Sequence, residues 1–180
     1  GGQAIYTPGS RPDGILFLYS ERRERFGHRP SVREFLTGYG MGLSKSDQAM
    51  AEAEDEARRL AECARCIAQY AGAEDLLQLD DRSRDAGRRK GLQLESQQCA
   101  PALLQLPLRE AVAATFSLSG GSEGLRGKLD RHAVRFLTGG WLEVFVWSLL
   151  ERHQQALGLW DPHLGVSCRF GERGENDLDV

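Results

Sequence analysis

The chain has 180 residues, 41% hydrophobic and 27% charged, with a formal net charge of −3. That length holds one ordinary domain or two small ones. The near balance of charge excludes a globally basic surface of the kind that coats nucleic acid. Lys occurs only at Lys45, Lys90 and Lys128, and Arg supplies the other cations; this is either a bias toward forked donors that suit phosphate or a plain coding bias. Cys63, Cys66, Cys99 and Cys168 are too few and too scattered for a disulfide scaffold. No signal peptide and no apolar run of about 18 residues is read, so a cytoplasmic protein without a membrane span is expected. Gly1-Gly2 in place of an initiating Met predicts a processed, tagged or truncated chain.

In chain order, residues 1–14 are rich in Gly, Pro and Ser and read as loop or tail. Ile15 to Tyr19 is short and apolar, as in a buried strand. Glu21 to Arg29 is dense with Arg and Glu, and Ser31 is placed to cap a short helix through Leu36. Gly38, Gly40 and Gly42 are expected to break regular structure. A long helix is predicted from Ser46, its N-cap, to Gly72, its terminator. Met50, Ala53, Ala57, Leu60, Ala64, Ile67 and Ala71 draw one apolar stripe along it. After the apolar Leu76 to Leu79, the charged stretch Asp80 to Gly91 is expected to be exposed or mobile. Pro101 suits the first turn of a helix over Ala102 to Phe116, which Pro107 must kink or restart.

Ser117 to Gly127, with four glycines and three serines, has the composition of a linker and predicts a domain boundary. Asp130 to Leu137, a helix from about Trp141 to Leu157 and a hairpin follow. In the hairpin Val166, Cys168 and Phe170 alternate with Ser167 and Arg169, and Gly171 to Glu175 form the turn.

Most of the motif-like features read as structure. Cys63 and Cys66 match C-x-x-C, but in mid-helix and without two further ligands, so packing is favoured over zinc or redox chemistry. Gly120, Gly121, Gly124 and Gly127 lack the Gly-Lys-Ser/Thr of a phosphate loop, since Leu129 follows Lys128. His28, His132, His153 and His163 are far apart, and His153, almost three turns beyond Glu143, cannot share a site with it.

The candidate site rests on acids near the end of the chain. Glu143 lies in Trp141-Leu142-Glu143-Val144-Phe145-Val146-Trp147, a run otherwise apolar, and is grouped by helical spacing with Val146, Trp147 and Leu150 on a face suited to burial. Asp177 and Asp179 fall on one side of a terminal strand, with Leu178 and Val180 on the other. Carboxylates brought together by a helix and a strand end suit Mg²⁺, which prefers hard oxygen ligands and keeps several waters. The competing reading makes Glu143 the exposed edge of an amphipathic helix and leaves Asp177 and Asp179 decorating a turn.

Gly139-Gly140-Trp141-Leu142-Glu143, followed by Asn176-Asp177-Leu178-Asp179-Val180, resembles the start of the PD-(D/E)XK nuclease domain of CRISPR-associated effector nucleases. In that family a CRISPR-associated Rossmann-fold (CARF) domain senses cyclic oligoadenylate and a C-terminal domain cuts nucleic acid. Asp177 stands where the family has Glu. The resemblance implies Asp179 as metal-binding Asp and Glu143 as the helix acid assisting it. It also implies Mg²⁺ or Mn²⁺ as cofactor, DNA or RNA as substrate, a cyclic oligoadenylate activator and a homodimer. The family's Glu-x-Lys strand is expected beyond Val180, so an incomplete nuclease core is expected here. The family's Thr-Gly-Gly-Thr-Lys ligand loop is not seen.

The expected fold class is mixed α/β, a helical connector followed by an incomplete restriction-endonuclease-like core. Residues 1–43 are similar to the end of a Rossmann-like sensor domain, 44–118 to a winged-helix-like connector and 128–180 to the start of the nuclease domain. Two other readings stand beside the nuclease: a non-catalytic helical adaptor or dimerisation module, and a nucleic-acid-binding regulator using the helical segment alone.

Overall fold

The computed structural model describes residues 4–7, 14–17, 22–25, 30–72, 74–170 and 173–178, with side chains over 30–72 and 74–169. Over the described residues it is mixed α/β, built of helices and three small antiparallel sheets. The first sheet is a meander of β1 (Ala4–Thr7), β2 (Gly14–Phe17) and β3 (Arg22–Arg25). β2 matches the strand expected from Ile15, whereas β1 lies in a segment read as loop. Leu18 and Tyr19 lie outside the described residues.

Ser31 starts α1 (Val32–Gly38) through a capping box: its side chain accepts from the Glu34 amide at 3.2 Å, and Glu34 accepts from the Ser31 amide at 2.8 Å. Leu36 on this helix packs with Val166 and Cys168 in a small satellite core. β4 (Met41–Leu43) pairs antiparallel with β8 (Val166–Phe170), which pairs with β9 (Arg173–Leu178). Gly42 therefore sits inside a strand rather than breaking one, because the β8 edge offers its backbone a partner. Likewise Arg173 to Glu175, read as turn, belong to β9.

α2 (Asp47–Tyr70) is the spine of the main core. Ser46 caps it as expected, accepting from the Ala49 amide at 3.2 Å. Met50, Ala57, Ala64, Ile67 and Ala71 of the expected stripe are buried. The charged stretch after Asp80 is not mobile coil but α3 (Asp81–Lys90). Asp80 accepts from the Ser83 amide at 2.7 Å, a bond that holds its carboxyl below the usual aspartate range. Arg88, Arg89 and Lys90 fill the last turn, where cations suit the helix dipole. Buried Gly87 lets this highly charged helix approach Val134.

β5 (Leu92–Leu94), a short 3₁₀ turn at Pro101–Leu104 and α4 (Leu106–Phe116) follow, with Pro107 in the first turn of α4 restarting the helix as expected. Ser117 to Gly127 is not a linker. It forms β6 (Ser119–Gly121) and the start of β7 (Gly124–Leu129), a hairpin with β7 between β5 and β6. Gly120, Gly124 and Gly127 are there for contact: a Cβ on Gly120 would lie 2.1 Å from the Gly124 carbonyl oxygen.

α5 (Arg131–Arg135) leads through a kink at Phe136–Gly140 into α6 (Trp141–Leu157). Contrary to expectation, Arg131–Leu157 is long and apolar enough, by length and composition, to cross a membrane. The run is broken at Thr138 and Gly139, and beyond the break α6 lies on α2 with Val144 and Trp147 buried.

The loop from α6 to β8 ties the satellite core to the helical body. The Trp160 indole donates to the Pro30 carbonyl at 3.0 Å, Trp147 donates to the Pro162 carbonyl at 3.3 Å, and Asp161 accepts from the Val32 amide at 2.9 Å. His163 lies between two carboxylates, Nδ1 to Glu54 at 2.7 Å and Nε2 to Asp161 at 3.0 Å. Removing the imidazole leaves the half-buried Glu54 without that partner. His163→Ala is expected to lower stability by about 1–3 kcal/mol and to speed exchange of the Val32 amide, measured by thermal denaturation and hydrogen exchange.

Candidate functional site

Glu143 is positioned by the second half of the broken helix. Asp130 starts α5 by accepting from the Ala133 amide at 2.7 Å. Helical geometry is then lost at Thr138 (φ −105°, ψ 23°) and Gly139 (φ 140°, ψ −35°). That φ is open to glycine and strained for other residues. Arg88 takes up the freed groups, donating from Nε to Thr138 Oγ1 at 2.9 Å and from Nη2 to the Thr138 carbonyl at 2.7 Å. Thr138 Oγ1 in turn donates to the Val134 carbonyl at 2.7 Å. The chain resumes as α6, with Glu143 in its first turn, where the helix dipole favours a carboxylate. Gly139-Gly140-Trp141-Leu142-Glu143 is thus a kink followed by an aimed helix start.

The Glu143 side chain is exposed, not packed into the interior. The buried line of α6 runs through Val144 and Trp147, 7% and 3% exposed, while Val146 is 36% exposed. Successive residues on a helix are about 100° apart, so centring the buried face on Val144 puts Glu143 at its edge. No desolvation penalty arises. Among the described residues its carboxylate makes no hydrogen bond or ion pair.

Asp179 lies outside the described residues. The backbone of β9 sets Asp177 opposite Ser167 and Leu178 opposite Val166, so the acid-bearing end of β9 lies beside the start of β8. Among the described residues no three His, Cys, Asp or Glu side chains gather as a metal-holding group. Glu143 fits a divalent cation as one hard oxygen donor, exposed and unengaged, and needs carboxylates from elsewhere to complete a site.

Other candidates fare less well. An open groove of about 800 Å³ between α2, α5 and α6 is lined by Gly140, Val144, Lys128 and His132 but not by Glu143. Glu52 and Glu56 at its edge repel phosphate. Cys63 and Cys66 are free thiols on α2. Burial pushes the Cys63 thiol from an ordinary 9.0 up to about 11, against a smaller opposing hydrogen bond from Thr115. A thiol so disposed is a packing group and not a redox nucleophile. The folded pKa lies above the unfolded one, so the associated stability is complete below about pH 9. It is lost as pH rises toward 11, an effect of about 2–3 kcal/mol. Denaturation midpoints between pH 8 and 11 for the wild type and Cys63→Ala should converge as pH rises.

Arg88 went unnoticed in sequence, and His163 was set aside as one of four scattered histidines. For Arg88 the signal was present, a capping Asp80 and a stop at Gly91 around a charged helix, but the density of charge read as exposure. His163 had none, since its partners lie on α2 and in its own loop.

Residues 130–180, from the cap of α5 through Asp179, match the Card1-like endonuclease domain family. Solved structures that share the fold include the following two. Can2 from Sulfobacillus thermosulfidooxidans, in complex with cyclic tetra-adenylate, is 20% identical over 98% of this chain and 45% of its own, with a TM-score of 0.50. Protein VC1899 from Vibrio cholerae is 21% identical over 98% of this chain and 47% of its own, with a TM-score of 0.53. The chain spans about half the length of these structures. No curated protein matches it. The stretch that aims Glu143 and carries β9 is therefore similar in sequence to an endonuclease domain.

Proposed function

We propose that the chain is part of a metal-dependent nuclease of the PD-(D/E)XK type, hydrolysing phosphodiester bonds of DNA or RNA and switched on by a cyclic oligoadenylate in CRISPR antiviral defence. The observation that carries this reading is the endonuclease-domain match over residues 130–180, which takes in both Glu143 and Asp179. The unpaired carboxylate at the start of α6 supports it. In this reading Asp179 binds the cation and Glu143 contributes a second oxygen, directly or through water. Mg²⁺ or Mn²⁺, when bound, supplies an activated water and offsets charge on the scissile phosphate. The activator is inferred from the cyclic tetra-adenylate held by Can2, whose fold covers this chain.

In the same reading residues 1–43 end a sensor domain, 44–129 form a winged-helix connector and 130–180 begin the nuclease core. The protein acts as a homodimer in the cytoplasm. Among the described residues the four cysteines are unpaired, as a reducing compartment favours. The test is cleavage of plasmid DNA and of RNA by the full-length protein with Mg²⁺ or Mn²⁺, with and without cyclic tetra-adenylate. Cleavage that needs both metal and activator is expected. No cleavage under any of these conditions favours the adaptor reading, for which exposed Leu142, Val146 and Leu149 on α6 offer an apolar contact face.

A further inference from the structure

Arg88, Arg89, Lys90, Arg131 and Arg135 gather where α3 ends against α5. Arg135 Nε donates to the Arg88 carbonyl at 3.2 Å. Gly91 packs so closely that a Cβ there would lie 2.5 Å from the Leu129 carbonyl oxygen and 3.2 Å from Asp130 Cα. On α2 the arginines are neutralised locally: Arg58 pairs with Asp55 and Glu151, Arg59 with Glu56 and Arg65 with Glu62. The α3–α5 cations are not. Among the described residues none of the five forms an ion pair with a carboxylate. Arg88 bonds Thr138, Arg89 donates to the Asp85 carbonyl at 3.2 Å, and the nearby Asp130 is engaged at the Ala133 amide.

The helix dipole accounts for cations in the last turn of α3. It does not account for Arg131, which opens α5, where a cation opposes the dipole. Cations collected on one face repel one another, and an external anion offsets that repulsion. Charge spread over two elements suits repeated phosphates better than one small ion. The position is also significant: Arg88 grips Thr138, five residues before Glu143.

We propose that this face contacts the phosphodiester backbone of the nucleic acid cut at the Glu143 site, an inference that rests on the nuclease reading and assigns its substrate surface. The test is fluorescence anisotropy of the full-length protein with labelled single-stranded DNA, single-stranded RNA of the same sequence, and duplex DNA. EDTA prevents cleavage, and salt is varied between about 50 and 200 mM. Arg89→Glu, Lys90→Glu and Arg131→Glu combined are expected to weaken binding at least ~10-fold and to reduce the slope of log affinity against log salt by about two to three. The probe that loses most identifies DNA or RNA as the ligand.

Unchanged affinity and slope in a folded triple variant overturn the proposal, and so does a preference of the wild type for poly-L-glutamate over every oligonucleotide. If the triple variant does not fold, the neutral pair Arg89→Gln and Arg131→Gln decides on the same criterion with a smaller expected loss. Loss of cleavage in Glu143→Gln alongside unaltered binding in the charge variants sinks this surface and leaves the nuclease reading standing. Cleavage retained in Glu143→Gln with binding lost in the charge variants does the reverse for the site.

Discussion

Glu143→Gln and Asp179→Asn are each expected to reduce metal-dependent cleavage by the full-length protein by about 100-fold or more, the scale seen when a site loses a metal-supporting or charge-stabilising group. For Glu143 the loss should come with little change in stability. Its side chain is exposed and has no protein partner among the described residues, and surface changes of that kind stay within about 0.5 kcal/mol. Both amides keep shape while removing charge, so cleavage kinetics paired with a melting curve separate chemistry from folding. The adaptor reading predicts no change in either.

The largest effect on stability is expected at Trp147, not at the site. Trp147 is 3% exposed, packs α6 onto α2, lies under the Arg58 guanidinium at 5.4 Å and donates to the Pro162 carbonyl at 3.3 Å. Trp147→Ala removes a large buried ring, the cation–π contact and the hydrogen bond to the loop before β8. A loss of about 3–5 kcal/mol is expected, read by chemical denaturation. Trp147→Phe keeps most of the burial and sacrifices the indole donor, so about 1 kcal/mol is expected. Should the two variants be equally unstable, the hydrogen bond to Pro162 outweighs the packing. Arg58 is held on that ring by Glu151, which raises the guanidinium's affinity for its proton.

What could be read in advance followed the range of the interactions involved. Ser31, Ser46 and the α2 stripe were legible because caps and helical periodicity are local, a few residues long. Gly42 and the Ser117 to Gly127 segment misled because their order comes from distant strands. β4 needs β8, and the Gly120 hairpin needs β5 beyond it. Composition sees glycine and serine; it does not see the partner edge. α3 misled for another reason: Asp80 and Gly91 bracket it as a helix, but Arg84, Arg88 and Arg89 read as solvation when Arg88 is in fact bonded to the kink.

The same division applies to the site. The motif Gly139 to Glu143 was legible as a helix start, and its physical content, a glycine kink that aims that start, became visible only with Arg88 and Thr138 in place. The exposure of Glu143 stayed open between a buried face and an exposed edge because one residue of rotation on a helix separates the two, and the structure shows the edge. Its apolar neighbours do not reveal which way that rotation goes.

The central claim is that the carboxylates of Glu143 and Asp179 serve one cation. Its most direct test is a crystal of the full-length protein soaked in Mn²⁺ and measured for anomalous scattering. The expected result is a peak within about 2.5 Å of an Asp179 carboxylate oxygen, with Glu143 reaching the same ion directly or through one water. A peak held by other residues, or the two carboxylates more than about 10 Å apart with no shared ion, a span that one bridging water cannot cover, contradicts it.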